Sequence, residues 1–322
     1  MARVSVIIPA YNESDMIDDC LQSLINQDYK DFKAIIVDDE STDDTASKIQ
    51  SFAKSHPNRI EYRNYGKLGP GRIRNRVSHE VDSELLVFMD ADCRATPQWL
   101  SLLVEVLDKR PEAASCGGPH LAPPESNAFQ MRVEKFFGLV SVGIGFYKNE
   151  KGELRLTEHN PLCNVSYRRK KFLELNGFRE DLWPGEDIEL DIRLRKSGGL
   201  IYFQPKALVY HHRPNSIENF RKVMFAYGRA QGKMLRDRGL ERFIQFFGLG
   251  VIFILFGLIV TGIAFDSILL LVAGILWALI FWTRPSSDGL LSICFNSLEW
   301  MNGFISGLRT GRSDPPGMKR PS

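Results

Sequence analysis

The sequence predicts an α/β domain built on a mostly parallel, doubly wound sheet, followed by a C-terminal α-helical membrane region. Three observations carry that expectation. Short apolar runs alternate with segments of helical periodicity through residues 4–89, the order of strands and helices that builds a parallel sheet. Acidic clusters follow two of those runs, at Asp38-Asp39-Glu40 and at Asp90-Ala91-Asp92. Strand ends of this kind lie at the carboxyl edge, where open α/β sheets bind their ligands. From residue 243 a long uncharged run begins. The 322 residues leave room for roughly two domains.

Residues 4–8 and 34–37 are continuously apolar and read as buried strands. Between them, residues 14–27 carry Ile17, Leu21, Leu24 and Ile25 at helical spacing. Residues 42–52 form a second helix that Ser41 or Thr42 can cap, with acidic residues in a first turn where they suit the helix dipole. Residues 61–65 are a third strand, 72–81 a third helix and 84–89 a fourth strand. The soluble pattern runs through residues 1–215.

Residues 216–242 carry Ile217, Phe220, Met224, Tyr227 and Met234 at helical spacing, with Arg221, Lys222, Arg229, Lys233, Arg236 and Arg238 between them. Such a basic amphipathic helix suits a membrane surface, or covers the sheet as an ordinary solvated helix. Residues 243–265 are 23 positions without a charge, long enough to cross a bilayer. Residues 268–282 add a run of 15, short for a span but able to return as a hairpin within 243–283. A buried hairpin in a soluble domain is the alternative. Residues 284–322 read as an interfacial helix, interrupted by Asn296, Glu299 and Asn302, and a basic tail. Basic flanks on both sides of the hairpin predict an integral membrane protein with its N-terminal α/β domain on the cytoplasmic face.

The formal charge of +2 implies no nucleic-acid partner. Cys20, Cys93, Cys116, Cys163 and Cys294 are scattered without CxxC spacing, which favours free thiols over a disulfide framework. The chain opens on a strand-like run rather than a charged start and apolar core, so a cleaved signal peptide is not expected.

Two carboxylates one residue apart, just past a strand, can hold a hard divalent cation against a diphosphate. Asp38 and Asp39 lie beyond the second predicted strand, where a carboxylate can accept from a ribose hydroxyl or a base N–H. Lys67, Arg72 and Arg74 accompany the glycine-rich stretch Gly66-Lys67-Leu68-Gly69-Pro70-Gly71, whose backbone freedom and charge suit a nucleotide pocket. It is not a P-loop, lacking the terminal Gly-Lys-Ser/Thr.

Four motifs carry a family resemblance. They are Val6-Ile7-Ile8-Pro9-Ala10-Tyr11-Asn12-Glu13, Val37-Asp38-Asp39-Glu40-Ser41-Thr42-Asp43, Asp90-Ala91-Asp92 after Arg74-Asn75, and Pro184-Gly185-Glu186-Asp187-Ile188-Glu189-Leu190. In order and spacing over residues 4–212 the chain resembles a family-2 glycosyltransferase of the Rossmann-like GT-A fold, of the membrane-anchored type. One such motif is weak, and four in register are specific. The resemblance implies a nucleoside-diphosphate sugar donor of UDP or GDP type, Mg2+ or Mn2+ as cofactor, and inversion at the anomeric carbon. It implies that Asp39 holds the nucleoside, with Pro9, Tyr11 and Glu13 lining the pocket beside Asp38, Lys67, Arg74 and Ala91. Asp92 becomes the direct metal ligand, and Asp90 meets the ribose or a metal-bound water. Of the neighbours His211 and His212, one completes the metal shell, with His211 favoured, or it is a plain structural histidine. Asp187 becomes the base and Glu186 orients the site or binds the acceptor; N-capping of a helix is the bland role for Asp187.

Departures narrow the expectation. No Gln-x-x-Arg-Trp motif follows Asp187, so a single transfer is favoured over polymer synthesis. Residues 119–161 are the least family-like part and belong by position to the acceptor side. The acceptor expected is a membrane-presented, polyprenyl-linked saccharide at the lipid bilayer, or polyprenyl phosphate itself. A sugar-phosphate nucleotidylyltransferase lacks its N-terminal glycine-rich motif here. A membrane scaffold with a degenerate nucleotide-sugar site is the non-enzyme alternative. A response-regulator receiver places its acidic run on the first strand, whereas a strand and a helix precede it here. The haloacid-dehalogenase pattern is not continued by Cys93-Arg94.

Overall fold

The computed structural model describes residues 2–140, 152–239, 250 and 296–309. β1 (Val4–Ala10) is buried at every position, as a strand covered on both faces must be. It pairs in parallel with β2 (Phe32–Asp38) and with β4 (Leu85–Phe88), and β2 pairs in parallel with β3 (Ile60–Asn64). Helices α1 (Ile17–Ile25), α2 (Thr45–Ser55) and α3 (Pro70–Glu80) connect them. Side chains of a strand alternate between faces. Val4, Val6 and Ile8 therefore enter one core with Leu21 and Leu103, while Ile7 enters the opposite one with Ile73 and Phe88.

Beyond β4 come β5 (Cys93–Ala95), α4 (Trp99–Lys109), β6 (Ala113–Gly117), β7 (His120–Leu121), α5 (Ala128–Val140), β8 (Arg155–Leu156), β9 (Val165–Arg168) and α6 (Arg169–Glu174). They are followed by α7 (Glu186–Lys196), β10 (Leu200–Phe203), β11 (Val209–His211), α8 (Ile217–Arg238) and α9 (Glu299–Arg309). The main sheet runs β3-β2-β1-β4-β9-β6-β10-β8, and β5-β11-β7 form a smaller one. The sheet is mostly parallel, with β9 inserted antiparallel between β4 and β6. Val165 opens β9 opposite Phe88 at the carboxyl edge, so the strand runs back across the sheet.

The cap expected at Ser41 or Thr42 is not formed. α2 begins at Thr45 without an acidic residue in its first turn. Asp43 holds Thr45 through its N–H and its hydroxyl. Ser41 instead accepts from the Asn12 N–H, and Asn12 accepts from the Thr42 N–H. These contacts lock the two loops at the end of β1 and β2 together.

Serine caps α8 as its side chain accepts from the Asn219 N–H. The helix packs on the α/β domain, Ala230 and Met234 meeting Leu182 and Ile192. Two of its basic residues are buried. Arg229 donates to the Trp183 carbonyl and Lys233 to the Asp181 carbonyl. The apolar face of α9 rests on α8 and α5 through Trp300, Met301 and Phe304. Gly228-x-x-x-Gly232 and Gly303-x-x-x-Gly307 put the backbones of α8 and α9 in contact, which small residues permit. Gly228 faces Trp300 and Phe304, and Gly232 faces Phe304 and Leu308, so the helices run parallel. A Cβ on Gly228 would fall 1.8 Å from the Trp300 carbonyl oxygen and one on Gly303 1.9 Å from that of Phe225. Gly228→Val is expected to destabilise the protein by roughly 1–3 kcal/mol through overpacking, read by denaturant unfolding. An unchanged midpoint would show that the helices are not held together this way.

Among the described residues no helix is long and apolar enough to cross a membrane. Apart from residue 250, the expected hairpin, 243–283, lies outside the described residues, as does the basic tail from residue 310.

Candidate active site

β1, β2 and β4 end side by side, so their following loops converge. Asp38 is tied into the edge, accepting from the Ser41 N–H at 3.1 Å and the Asn64 amide at 2.9 Å. Asp39 accepts from the N–H groups of Leu68 and Gly69 at 2.7 and 3.1 Å, which fixes the glycine-rich stretch against β2. Gly69 has φ +84°, in the left-handed region that favours glycine. Lys67 donates to the Asp39 carbonyl and lies over the Tyr11 ring. Pro9 is within β1, paired with Val37. Glu13 is buried, its N–H bonded to the Thr45 hydroxyl at 2.8 Å. The predicted donor-side residues before β4 therefore form one wall.

Asp90, Ala91 and Asp92 follow β4. Ala91 is fully buried, and the carboxylates flank it. The register of β11 on β5 sets His211 opposite Cys93, which brings the His211 Nε2 to 3.3 Å from Asp92 Oδ2. Asp90, Asp92 and His211 offer ligand atoms all within 4.8 Å of one another. Two oxygens and an imidazole nitrogen at that spacing suit a hard divalent cation with open positions for phosphate oxygens. Burial disfavours the charged His211 ring, but Asp92 and Cys163 together outweigh it and hold the pKa well above the ordinary value. His212 is not part of the set; its N–H donates to the Asp92 carbonyl.

Arg74 is buried and grips both acidic motifs, donating to Asp90 at 2.6 Å and to Glu186 at 3.2 Å. Its neighbour Asn75 holds Phe178 by both N–H and C=O, at 2.8 Å each, and so fixes the chain leading to α7. Gly185 starts α7 at φ +106° with Ala230 of α8 pressed against it. Glu186 is 2% exposed and pairs with Arg74 at 3.2 Å. Its burial, opposed by Arg74 and reinforced by Asp187, raises its pKa to about 7 from 4.5. A protonated Glu186 therefore favours the folded state. That contribution is complete below pH 4.5 and is lost as pH rises through about 7. Glu186→Gln is expected to gain stability relative to the parent as pH goes from 5 to 8, measured as the difference in thermal midpoint. A difference that stays constant over that range would refute the raised pKa.

Asp187 lies in the first turn of α7, whose N-cap position is Gly185. Its Oδ2 accepts from the Leu162 N–H at 3.1 Å and its Oδ1 from the Ile188 N–H at 2.8 Å. Behind it stands a pair that the sequence did not reveal. His159 places Nε2 3.7 Å from Asp187 and Nδ1 2.7 Å from Asp191. Asp191 is wholly buried, and the Tyr167 hydroxyl donates to it at 2.8 Å. Burial raises the Asp191 pKa against the bonds from His159 and Tyr167. Asp191 lies four residues after Asp187, on the same helix face, which was the one signal available.

The Glycosyl transferase family 2 model matches residues 5–175. A Methanococcus voltae protein is 26% identical over 97% of this chain and 99% of its own length. It is a dolichyl N-acetyl-alpha-D-glucosaminyl phosphate 3-beta-D-2,3-diacetamido-2,3-dideoxy-beta-D-glucuronosyltransferase. A Campylobacter jejuni GalNAc(5)-diNAcBac-PP-undecaprenol beta-1,3-glucosyltransferase is 35% identical over 33% of this chain and 34% of its own. Among solved structures, the mannosyltransferase PcManGT of Pyrobaculum calidifontis, in complex with GDP-Man and Mn2+, superposes with a TM-score of 0.63 at 18% identity. That superposition covers 92% of this chain and 87% of the other.

Proposed function

The chain belongs to glycosyl transferase family 2 and is a glycosyltransferase, and we propose that it moves one sugar, with inversion, from a nucleoside diphosphate to a polyprenyl-linked acceptor. The observation that carries this reading is the Arg74 bridge from Asp90 to Glu186. It makes a single site of the motif that faces the donor and the helix that bears Asp187.

Asp39 and Lys67 shape the nucleoside wall, and Arg74 keeps Asp90 in place. Asp90, Asp92 and His211 would hold Mg2+ or Mn2+. Such an ion, when bound, neutralises charge that develops on the diphosphate leaving group. Asp187 takes the proton of the acceptor hydroxyl on the face opposite the leaving group. Its two N–H contacts and His159 keep its carboxylate in one orientation.

The membrane-presented acceptor is supported by the two relatives, whose names carry dolichyl- and undecaprenol-linked acceptors. The two apolar runs 243–265 and 268–282, with Arg242 before the pair and Arg284 after it, support an integral membrane protein whose catalytic domain faces the cytoplasm. A donor screen on detergent-solubilised protein tests the reading by following release of UDP or GDP with Mn2+, with and without polyprenyl lipid extract. Release that rises with one donor and with lipid is the expected result. Release that lipid leaves unchanged would sink the lipid-linked acceptor. Silence with every donor would sink the transferase.

A further inference from the structure

Immediately behind the Asp-x-Asp loop lies a second group of ligating atoms, made of sulfur and nitrogen. Cys93 opens β5, Cys163 sits in the 3-10 turn Leu162–Asn164, and His211 ends β11. The turn is held firmly, since Asn164 donates to the carbonyls of Pro119 and Ala207 and accepts from the Trp99 indole. Ligand atoms of Cys93, Cys163 and His211 all lie within 4.8 Å of one another. We propose that these three side chains, joined by His120, form a site for a thiophilic divalent cation such as Zn2+, and that its occupancy withdraws His211 from the Asp90–Asp92 site.

The distances fit the chemistry. Zinc bonds of about 2.3 Å to sulfur and about 2.0–2.1 Å to nitrogen in a tetrahedron require edges of roughly 3.3 Å between nitrogens and roughly 3.5 Å from sulfur to nitrogen. His120 Nδ1 lies 3.3 Å from His211 Nδ1 and 3.4 Å from Cys163 Sγ. Cys93 and Cys163 are 2% and 3% exposed, so a bound ion would be shielded from water. The charges close as well. Two thiolates neutralise a dication, and the nearby Arg213, 3.5 Å from His120 Nδ1 and 3.4 Å from His211 Nδ1, is matched by Glu134 at 2.6 Å.

His211 couples the two sites because its nitrogens serve different neighbours. Nε2 faces Asp92 and Nδ1 faces His120. A neutral imidazole has one lone-pair nitrogen, so it ligates one ion at a time. An ion on the thiol side therefore weakens the carboxylate side, and the effect is reciprocal. This second half rests on the proposed role of Asp90 and Asp92, whereas the thiol site does not.

The test is a Co2+ titration of the reduced full-length protein in detergent, followed by the thiolate-to-metal charge-transfer absorbance. Mn2+ affinity is read in parallel from the resonance of the free ion. Wild type is expected to develop the band at one equivalent, and the variant Cys93→Ser with Cys163→Ser to lack it while unfolding at the same temperature. Zn2+ loading should weaken Mn2+ binding about tenfold in wild type and leave the double variant unaffected. Asp92→Ala should keep the band. Absence of the band in wild type, or its retention in the double variant, overturns the thiol site. A band with unchanged Mn2+ affinity overturns the sharing of His211. Failure of Mn2+ to bind at all would count against the carboxylate site alone, and the band would still decide the other.

Discussion

Asp187→Asn is expected to lower transfer by about 10²–10⁴-fold, the range a positioned general base contributes, while donor and metal binding stay unchanged. The reason is geometric. The carboxylate is fixed by the N–H groups of Leu162 and Ile188, and asparagine can keep its oxygen on one of them while losing the ability to take a proton. Arg74 bonds Glu186 and Asp90, not Asp187, so the donor wall keeps its architecture. His159→Ala should act in the same direction but more weakly, lowering kcat with little change in donor KM, because it acts through Asp187. Single-turnover transfer with saturating donor, alongside nucleotide binding by calorimetry, separates the effects. Wild-type turnover in Asp187→Asn would refute the base assignment, and a parallel loss of nucleotide binding would reassign the residue to the donor side.

How far such a site can be read in advance depends on how local its physics is. β1, β2 and β4 were readable because a strand buried on both faces needs an unbroken apolar run, and Val4, Ile7, Ile36 and Phe88 supply it. The acidic motifs were readable because they follow those runs directly. β9 was not readable as an antiparallel insertion. Its four residues, Val165 to Arg168, acquire their direction from pairing with β4, some 80 positions away. Helix α8 illustrates another limit. Its basic residues suggest a membrane surface, yet Arg229 and Lys233 find carbonyl partners at Trp183 and Asp181. A charge stripe does not disclose whether solvent, lipid or protein satisfies it. His159 was invisible for the same reason, since its place behind Asp187 comes from Asp191 and Tyr167 on other elements.

The metal side of the site yields the other large effect. Asp92→Ala is expected to weaken metal-dependent donor binding by about a hundredfold or more, as several kcal/mol of metal–diphosphate interaction are lost. Asp92 is the better single target because it meets His211 directly at 3.3 Å and its removal disturbs no buried guanidinium. Asp90 is different. It accepts from Arg74 at 2.6 Å, and its loss would leave that buried guanidinium leaning on Glu186, confounding binding with packing. Truncating Asp92 should leave the Arg74–Glu186 contact intact, so metal-free nucleotide binding and the unfolding midpoint serve as internal controls. Calorimetric titration of UDP and GDP with and without Mn2+ distinguishes the outcomes. Loss confined to the metal-dependent component supports Asp92 as a ligand. Equal affinity in variant and parent with Mn2+ present would remove Asp92 from the metal shell and leave Asp90 and His211 too few to hold an ion alone.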